Sequence, residues 1–265
     1  MTEPLWLVLS GVVGAIVGSF LNVCIYRLPL DRSVVWPGSS CDVCDRPLRW
    51  FENVPVVSFV MLRGRCRTCG TRLSLRHPLV EAVTALLFVA ACWQWGLSPL
   101  LVQRLVLACG LLVLFFIDLD HHWLPDAITL PGIGLGLLAS LGAWLGLVPG
   151  APSLGDALLG VAIGGGSLWG VRGAYYLWRR EEGLGLGDVK LLAAIGAFLG
   201  WQLTLLTLVL ASFAGALVGG LLLLTQRGDM KTALPFGTVL AVGAWTAVTV
   251  GMPLLAWYLA LWPPV

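Results

Sequence analysis

Leu105-Val106-Leu107-Ala108-Cys109-Gly110-Leu111-Leu112-Val113-Leu114-Phe115-Phe116-Ile117 runs without a charge into Asp118-Leu119-Asp120-His121-His122-Trp123-Leu124-Pro125-Asp126. The first half has the composition of a membrane helix. The second half sets three carboxylates at its mouth. Ionisable groups at membrane depth are costly, so each marks a candidate functional position. Asp118 follows the apolar run directly and is expected to lie deepest. Asp120 stands two residues nearer water, and Asp126, after Pro125, reads as the N-cap of the next helix. A second stretch, Gly185-Leu186-Gly187-Asp188-Val189-Lys190, again places an acid where an apolar helix begins. Glu181 and Glu182 sit beside Arg179 and Arg180 in a polar turn, which leaves Asp188 as the acid next to the apolar body. Asp118 and Asp188 are therefore expected to meet at the cytoplasmic edge of a helical bundle.

The rest of the composition agrees with a bundle in lipid. Of the 265 residues 58% are hydrophobic and 11% charged, and the mean hydropathy is +0.90; soluble domains carry roughly 25% charged residues. The net charge of +2 implies nothing about nucleic acid by itself; no nucleic-acid partner is expected, and lipid is the expected surround. Apolar spans are read at 5–26, 78–95, 99–117, 127–147, 156–178, 188–199, 202–224 and 236–261. The first has no basic stretch before it and no small-residue cleavage site, so it reads as a retained helix rather than a signal peptide. Gly11, Gly14 and Gly18 on the first span, and the pairs Gly160/Gly164 and Gly166/Gly170 on the fifth, are close-packing signatures. Tryptophans such as Trp95, Trp123, Trp178, Trp201 and Trp262 fall at span edges, as interfacial belts require.

Between the first two spans lies the one segment with the composition of a small soluble domain, 27–77, with nine arginines against four acids. Lys and Arg bias marks the cytoplasmic side. With eight crossings both termini lie outside, and every basic residue except Arg104 and Arg172 falls in or beside a cytoplasmic segment. The chain accordingly divides into a first transmembrane helix (1–26), a cytoplasmic insertion (27–77) and a membrane bundle carrying the aspartates (78–265). The fold class is all-α, about eight transmembrane helices with the insertion between the first and second.

Cys41, Cys44, Cys66 and Cys69 form two C-x-x-C pairs in that insertion. Four thiolates on two turns suit a tetrahedral structural zinc. Disulfides and redox chemistry are the rivals, disfavoured in a reducing compartment. A segment this small with few core residues needs a staple to fold. Cys24, Cys92 and Cys109 lie singly in apolar helices and read as small hydrophobes.

For the carboxylates, two acids brought together share a proton. The ionised one can activate water while the protonated one hydrogen-bonds a scissile carbonyl. Gly185 and Gly187 give a permissive backbone beside Asp188 for holding a peptide extended. The rival reading is a transporter or proton relay using the same acids, which should show an internal repeat of broken helices. None is evident.

Several motifs in order then resemble the type IV prepilin peptidases, membrane leader peptidases that also N-methylate their product. These are Gly18-Ser19-Phe20-Leu21-Asn22-Val23 with Arg27-Leu28-Pro29, the double C-x-x-C with Asn53-Val54-Pro55 and Arg63-Gly64-Arg65-Cys66, and His77-Pro78-Leu79-Val80-Glu81. The Ile117-to-Asp126 stretch, Gly185 to Leu191 and Pro235-Phe236-Gly237 complete the series. The resemblance implies Asp118 and Asp188 as the catalytic pair of a G-x-G-D-type intramembrane aspartyl protease, and zinc on the four cysteines. It implies a substrate, the leader of a type IV prepilin or type II secretion pseudopilin, cut after a glycine at the cytoplasmic face of the inner membrane. The freed amine, usually of phenylalanine, would be methylated from S-adenosylmethionine. Asp42 and Thr238 stand where relatives often carry proline, and neither is expected to touch the chemistry. The methyl-donor site has no motif of its own, since Gly132, Gly134 and Gly136 lie in a span and read as packing. Glu81 is read either as a site for a cationic group such as a substrate amine or as the partner of a loop arginine. His121 and His122 read as interfacial rather than as a metal pair.

Overall fold

A computed structural model of the chain describes residues 3–41, 43–181, 183–225 and 235–261. Asp42, Glu182, Trp262 and the polar turn read at 226–232 lie outside the described residues. The helices are α1 (Pro4–Arg27), α2 (Val57–Met61), α3 (Arg76–Trp95), α4 (Pro99–His121), α5 (Asp126–Trp144), α6 (Leu154–Arg179), α7 (Leu186–Leu199), α8 (Trp201–Leu224) and α9 (Phe236–Ala260). The all-helical membrane class read from the sequence is thus the observed one.

Among the described residues seven helices are long and apolar enough to cross a membrane: α1, α3, α4, α5, α6, α8 and α9. The short span expected at 188–199 is α7. Its 14 residues, at a rise of ~1.5 Å each, cover about 21 Å, short of the ~30 Å of hydrocarbon. It packs against α5, α6, α8 and α9, and all of it from Leu191 to Leu199 is buried. Protein rather than lipid surrounds this helix, which frees its length from the bilayer.

The helix ends refine the sequence reading. α4 continues through Asp118 to His121, so Asp118 lies inside the last turn rather than beyond it. Pro125, not Asp126, is the residue preceding α5, and Asp126 is an acid of the first turn without a capping bond. Ser98 precedes α4, and its Oγ accepts the Leu101 amide at 3.2 Å. Ser153 caps α6 by accepting the Asp156 amide at 3.1 Å.

The chain divides into two compact units, Met1–Cys109 and Gly110–Val265. In the first, α1 lies on α3 through its glycines: a Cβ on Gly14 would meet Ala85 Cα at 2.9 Å, and one on Gly18 would meet Glu81 Cα at 2.7 Å. In the second, Gly160 of α6 and Gly196 of α7 close backbone to backbone, and a Cβ on Gly164 would meet the Leu192 carbonyl at 2.6 Å. A Cβ on Gly136 of α5 would lie 2.7 Å from Ala197. Gly166 and Gly170, expected to form a second close-packing pair, have no described neighbour within 4 Å. Six residues on from Gly160, at ~100° each, Gly166 is turned about 120° off the α7 face.

Candidate functional site

In the insertion each cysteine pair is carried on the same local fold. The Cys41 amide donates to the Arg46 carbonyl and the Asp45 amide to the Cys41 carbonyl; likewise Cys66 donates to Thr71, and Gly70 to Cys66. The fourth residue after each leading cysteine, Asp45 and Gly70, is left-handed with φ of 51° and 70°. Isolated bridges Ser40–Pro47 and Arg65–Arg72 close the two knuckles. Sγ atoms of Cys41, Cys44, Cys66 and Cys69 all lie within 4.8 Å of one another, and Cys41 and Cys69 stand 3.8 Å apart. A tetrahedron of Zn–S bonds of ~2.3 Å has edges of about 3.8 Å, so the set fits zinc. Amides of Cys69 and then Thr68 lower the pKa of the Cys66 thiol, toward the thiolate that a metal needs. Against the Thr71 amide, burial and then the neighbouring thiols push the Cys69 thiol up. Beside the knuckles Arg46 donates to Glu52 at 2.8 Å. This contact first, and then the Arg49 amide, hold the Glu52 carboxyl down at about 2.

Asp118 and Asp188 both belong to the second unit, are 4% and 8% exposed, and lie within electrostatic reach of each other. Each meets a helix N-terminus. Thr238, in the first turn of α9, donates its amide to Asp118 Oδ2 at 2.8 Å, and the Gly237 amide also serves this carboxylate. A Cβ on Gly237 would stand 2.9 Å from the same oxygen, so glycine is needed for the approach. Asp188 is the third residue of α7, and its carboxylate takes the amide of Gly185, the residue preceding the helix. That is one half of a capping box. Unpaired amides at helix N-termini favour negative charge, which is how a carboxylate is tolerated in this apolar surround. Thr238, expected to stand clear of the proposed chemistry, therefore meets Asp118 through its backbone. Side-chain patterns carry no signal for such a contact.

Leu124, buried at 4%, joins the three motifs. A Cβ on Gly187 would meet its Cβ at 2.8 Å, and one on Gly237 its Cδ1 at 3.0 Å. Lys190 Nζ reaches both oxygens of Asp126 at 2.7 and 2.8 Å, tying the start of α5 to α7. The pair was missed because 64 residues separate its members. Asp120, His121 and His122 are exposed, and His122 lies within electrostatic reach of Asp118. In the first unit Glu81 Oε2 accepts the Val56 amide at 2.7 Å rather than a loop arginine. Asn22 donates to the His77 carbonyl at 3.0 Å.

Set against known proteins, residues 12–95 match the bacterial peptidase A24 N-terminal domain and residues 105–220 the type IV leader peptidase family. The chain is 43% identical to a prepilin leader peptidase/N-methyltransferase of Pseudomonas putida, over 94% of this chain and 92% of that one. It is 39% identical to the protein of that name in Stutzerimonas stutzeri, over 97% and 96%. To the one in Neisseria gonorrhoeae it is 37% identical, over 93% and 91%. No solved structure matches. Similarity of this extent, spanning both units and every motif that meets at the buried carboxylates, makes this chain a member of the type IV leader peptidase family.

Proposed function

We propose that the chain cleaves the N-terminal leader of type IV prepilins or type II secretion pseudopilins and then N-methylates the new N-terminus, with Asp118 and Asp188 as the cleaving pair. The observation that carries the reading is the convergence of two buried carboxylates from separate helices, each against a helix N-terminus. One of the pair, ionised, takes a proton from water, while the other, protonated, donates to the scissile carbonyl. The two then exchange roles as the amine leaves. Gly185 and Gly187 offer backbone that an extended peptide can approach.

Cys41, Cys44, Cys66 and Cys69 hold zinc as a structural staple, and S-adenosylmethionine supplies the methyl group. The division 1–26, 27–77 and 78–265 follows from this reading as helix, zinc insertion and peptidase bundle. The arginine bias of 27–77 faces the insertion and the active site to the cytoplasm, in the inner membrane. The reading is tested with purified protein and a synthetic prepilin bearing a Gly-Phe junction. Asp118→Asn and Asp188→Asn should abolish cleavage, with Asp120→Asn largely active. Cleavage that survives Asp118→Asn but not Asp120→Asn overturns the assignment.

A further inference from the structure

We propose that a cavity of the first unit is the methyl-donor site, with Glu81 facing the donor's sulfonium and the incoming amine. This rests on the methyltransferase half of the reading above. The cavity, about 750 Å³, lies among the C-terminal turns of α1, the insertion and the start of α3, within the ~300–1,000 Å³ of ligand pockets. Asn22, Arg32, Trp36, Asn53 and Glu81 are among the residues that line it. An adenosyl sulfonium amino acid presents a cationic sulfur, a carboxylate, and a base with a flat face and polar edges. A carboxylate, a guanidinium, an indole and two amides are the groups that answer those features.

Three of the charged groups at the wall, Arg27, Arg46 and Glu52, are already engaged. Glu52 is held by Arg46 and the Arg49 amide, and Arg27 donates to the carbonyls of Ser33, Pro37 and Gly38. Glu81 differs. It is 9% exposed, yet its hydrogen-bond partner is the neutral amide of Val56 rather than a cation. Buried charges are ordinarily paired, and a carboxylate with lone pairs to spare on a cavity wall is a seat for a positive ligand. A second cavity, about 640 Å³, runs along Val12, Ile16, Phe20 and Val23 of α1 and shares Ser19, Val23, Arg27 and Asn53 with the first. It gives an apolar peptide terminus a path to the donor from the membrane side.

In the transfer the neutral amine forms the N–CH3 bond as the C–S bond breaks, its electron pair remaining on sulfur. The positive charge passes to nitrogen, and the surplus proton leaves through the Glu81 carboxylate to water. Glu81→Gln keeps an acceptor for Val56 and removes the charge; Ser58→Phe fills the cavity from α2. Equilibrium dialysis of the purified full chain with tritiated S-adenosylmethionine, zinc content, prepilin cleavage, and mass spectrometry of the product are measured together. Both variants should retain zinc and cleavage while donor binding and methylation fall about tenfold or more, as for loss of a charged contact. Unchanged donor binding and methylation in both variants would overturn the site alone. Wild-type protein that cleaves but neither binds nor transfers the methyl group overturns the methyltransferase reading and the site with it.

Discussion

At the scale of single residues, the contacts with most consequence run through main-chain amides. Thr238→Pro deletes the amide that serves Asp118 while proline remains compatible with the first turn of a helix. An uncompensated hydrogen bond to a charged group is worth ~1.5–3 kcal/mol. The Gly237 amide still serves Asp118 and proline is frequent at this position in the family pattern, so cleavage should slow by less than about tenfold with α9 intact. Unchanged kcat in a prepilin assay would show that the amide is idle. The Asp126–Lys190 pair is half-exposed, and a double-mutant cycle on thermal melting should give a coupling of at most ~1 kcal/mol. Glu52 sets a pH dependence. Its carboxyl is held down at about 2 by Arg46 and then the Arg49 amide. A depressed folded value stabilises above the unfolded value, ~4.3, and that stability is lost as pH falls toward 2. The melting difference between wild type and Glu52→Gln should be constant above about pH 5 and shrink below it. A difference that grows on acidification would refute the pair.

At the scale of elements, glycine decides which helix faces touch. Gly160 and Gly196 leave no room for a Cβ, whereas Gly170 meets nothing within 4 Å. Overpacking a filled contact costs ~1–3 kcal/mol, while an exposed helical Gly→Ala gains up to about 1 kcal/mol. Gly160→Ala should therefore lower the melting temperature and weaken cleavage by shifting α7, which carries Asp188. Gly170→Ala should melt at or above wild type. Equal melting of the two would sink the account of α6 on α7. The G-x-x-x-G spacing was legible for both pairs, but the helix turns Gly166 and Gly170 off the face that Gly160 and Gly164 present.

At the scale of the whole molecule, the chain holds a unit whose four clustered cysteines could hold a metal ion and a helical unit that carries the aspartates. The insertion has only short helical turns and two isolated bridges among its described residues. The knuckles are its principal order, and metal binding is folding free energy for such a segment. Stripping zinc with a chelator should expose 27–77 to limited proteolysis and leave α5–α9 protected. Cuts spread evenly over both units, or none in 27–77, would overturn the staple.

The class, the insertion, its four cysteines and the burial of Asp118 rather than Asp120 were determined by sequence alone. Each depends on local composition or spacing: an uncharged run, an arginine excess, a pair of C-x-x-C knuckles, depth counted along one helix. What tertiary structure decided involves partners far apart in the chain. Residues 120 apart join Thr238 to Asp118, 64 join Lys190 to Asp126, and 25 join Val56 to Glu81. The length of α7 belongs here too, because a helix enclosed by protein need not match the bilayer. A main-chain amide is the same in every residue but proline. Where it points is set by packing, so no side-chain pattern announces which carboxylate it will meet.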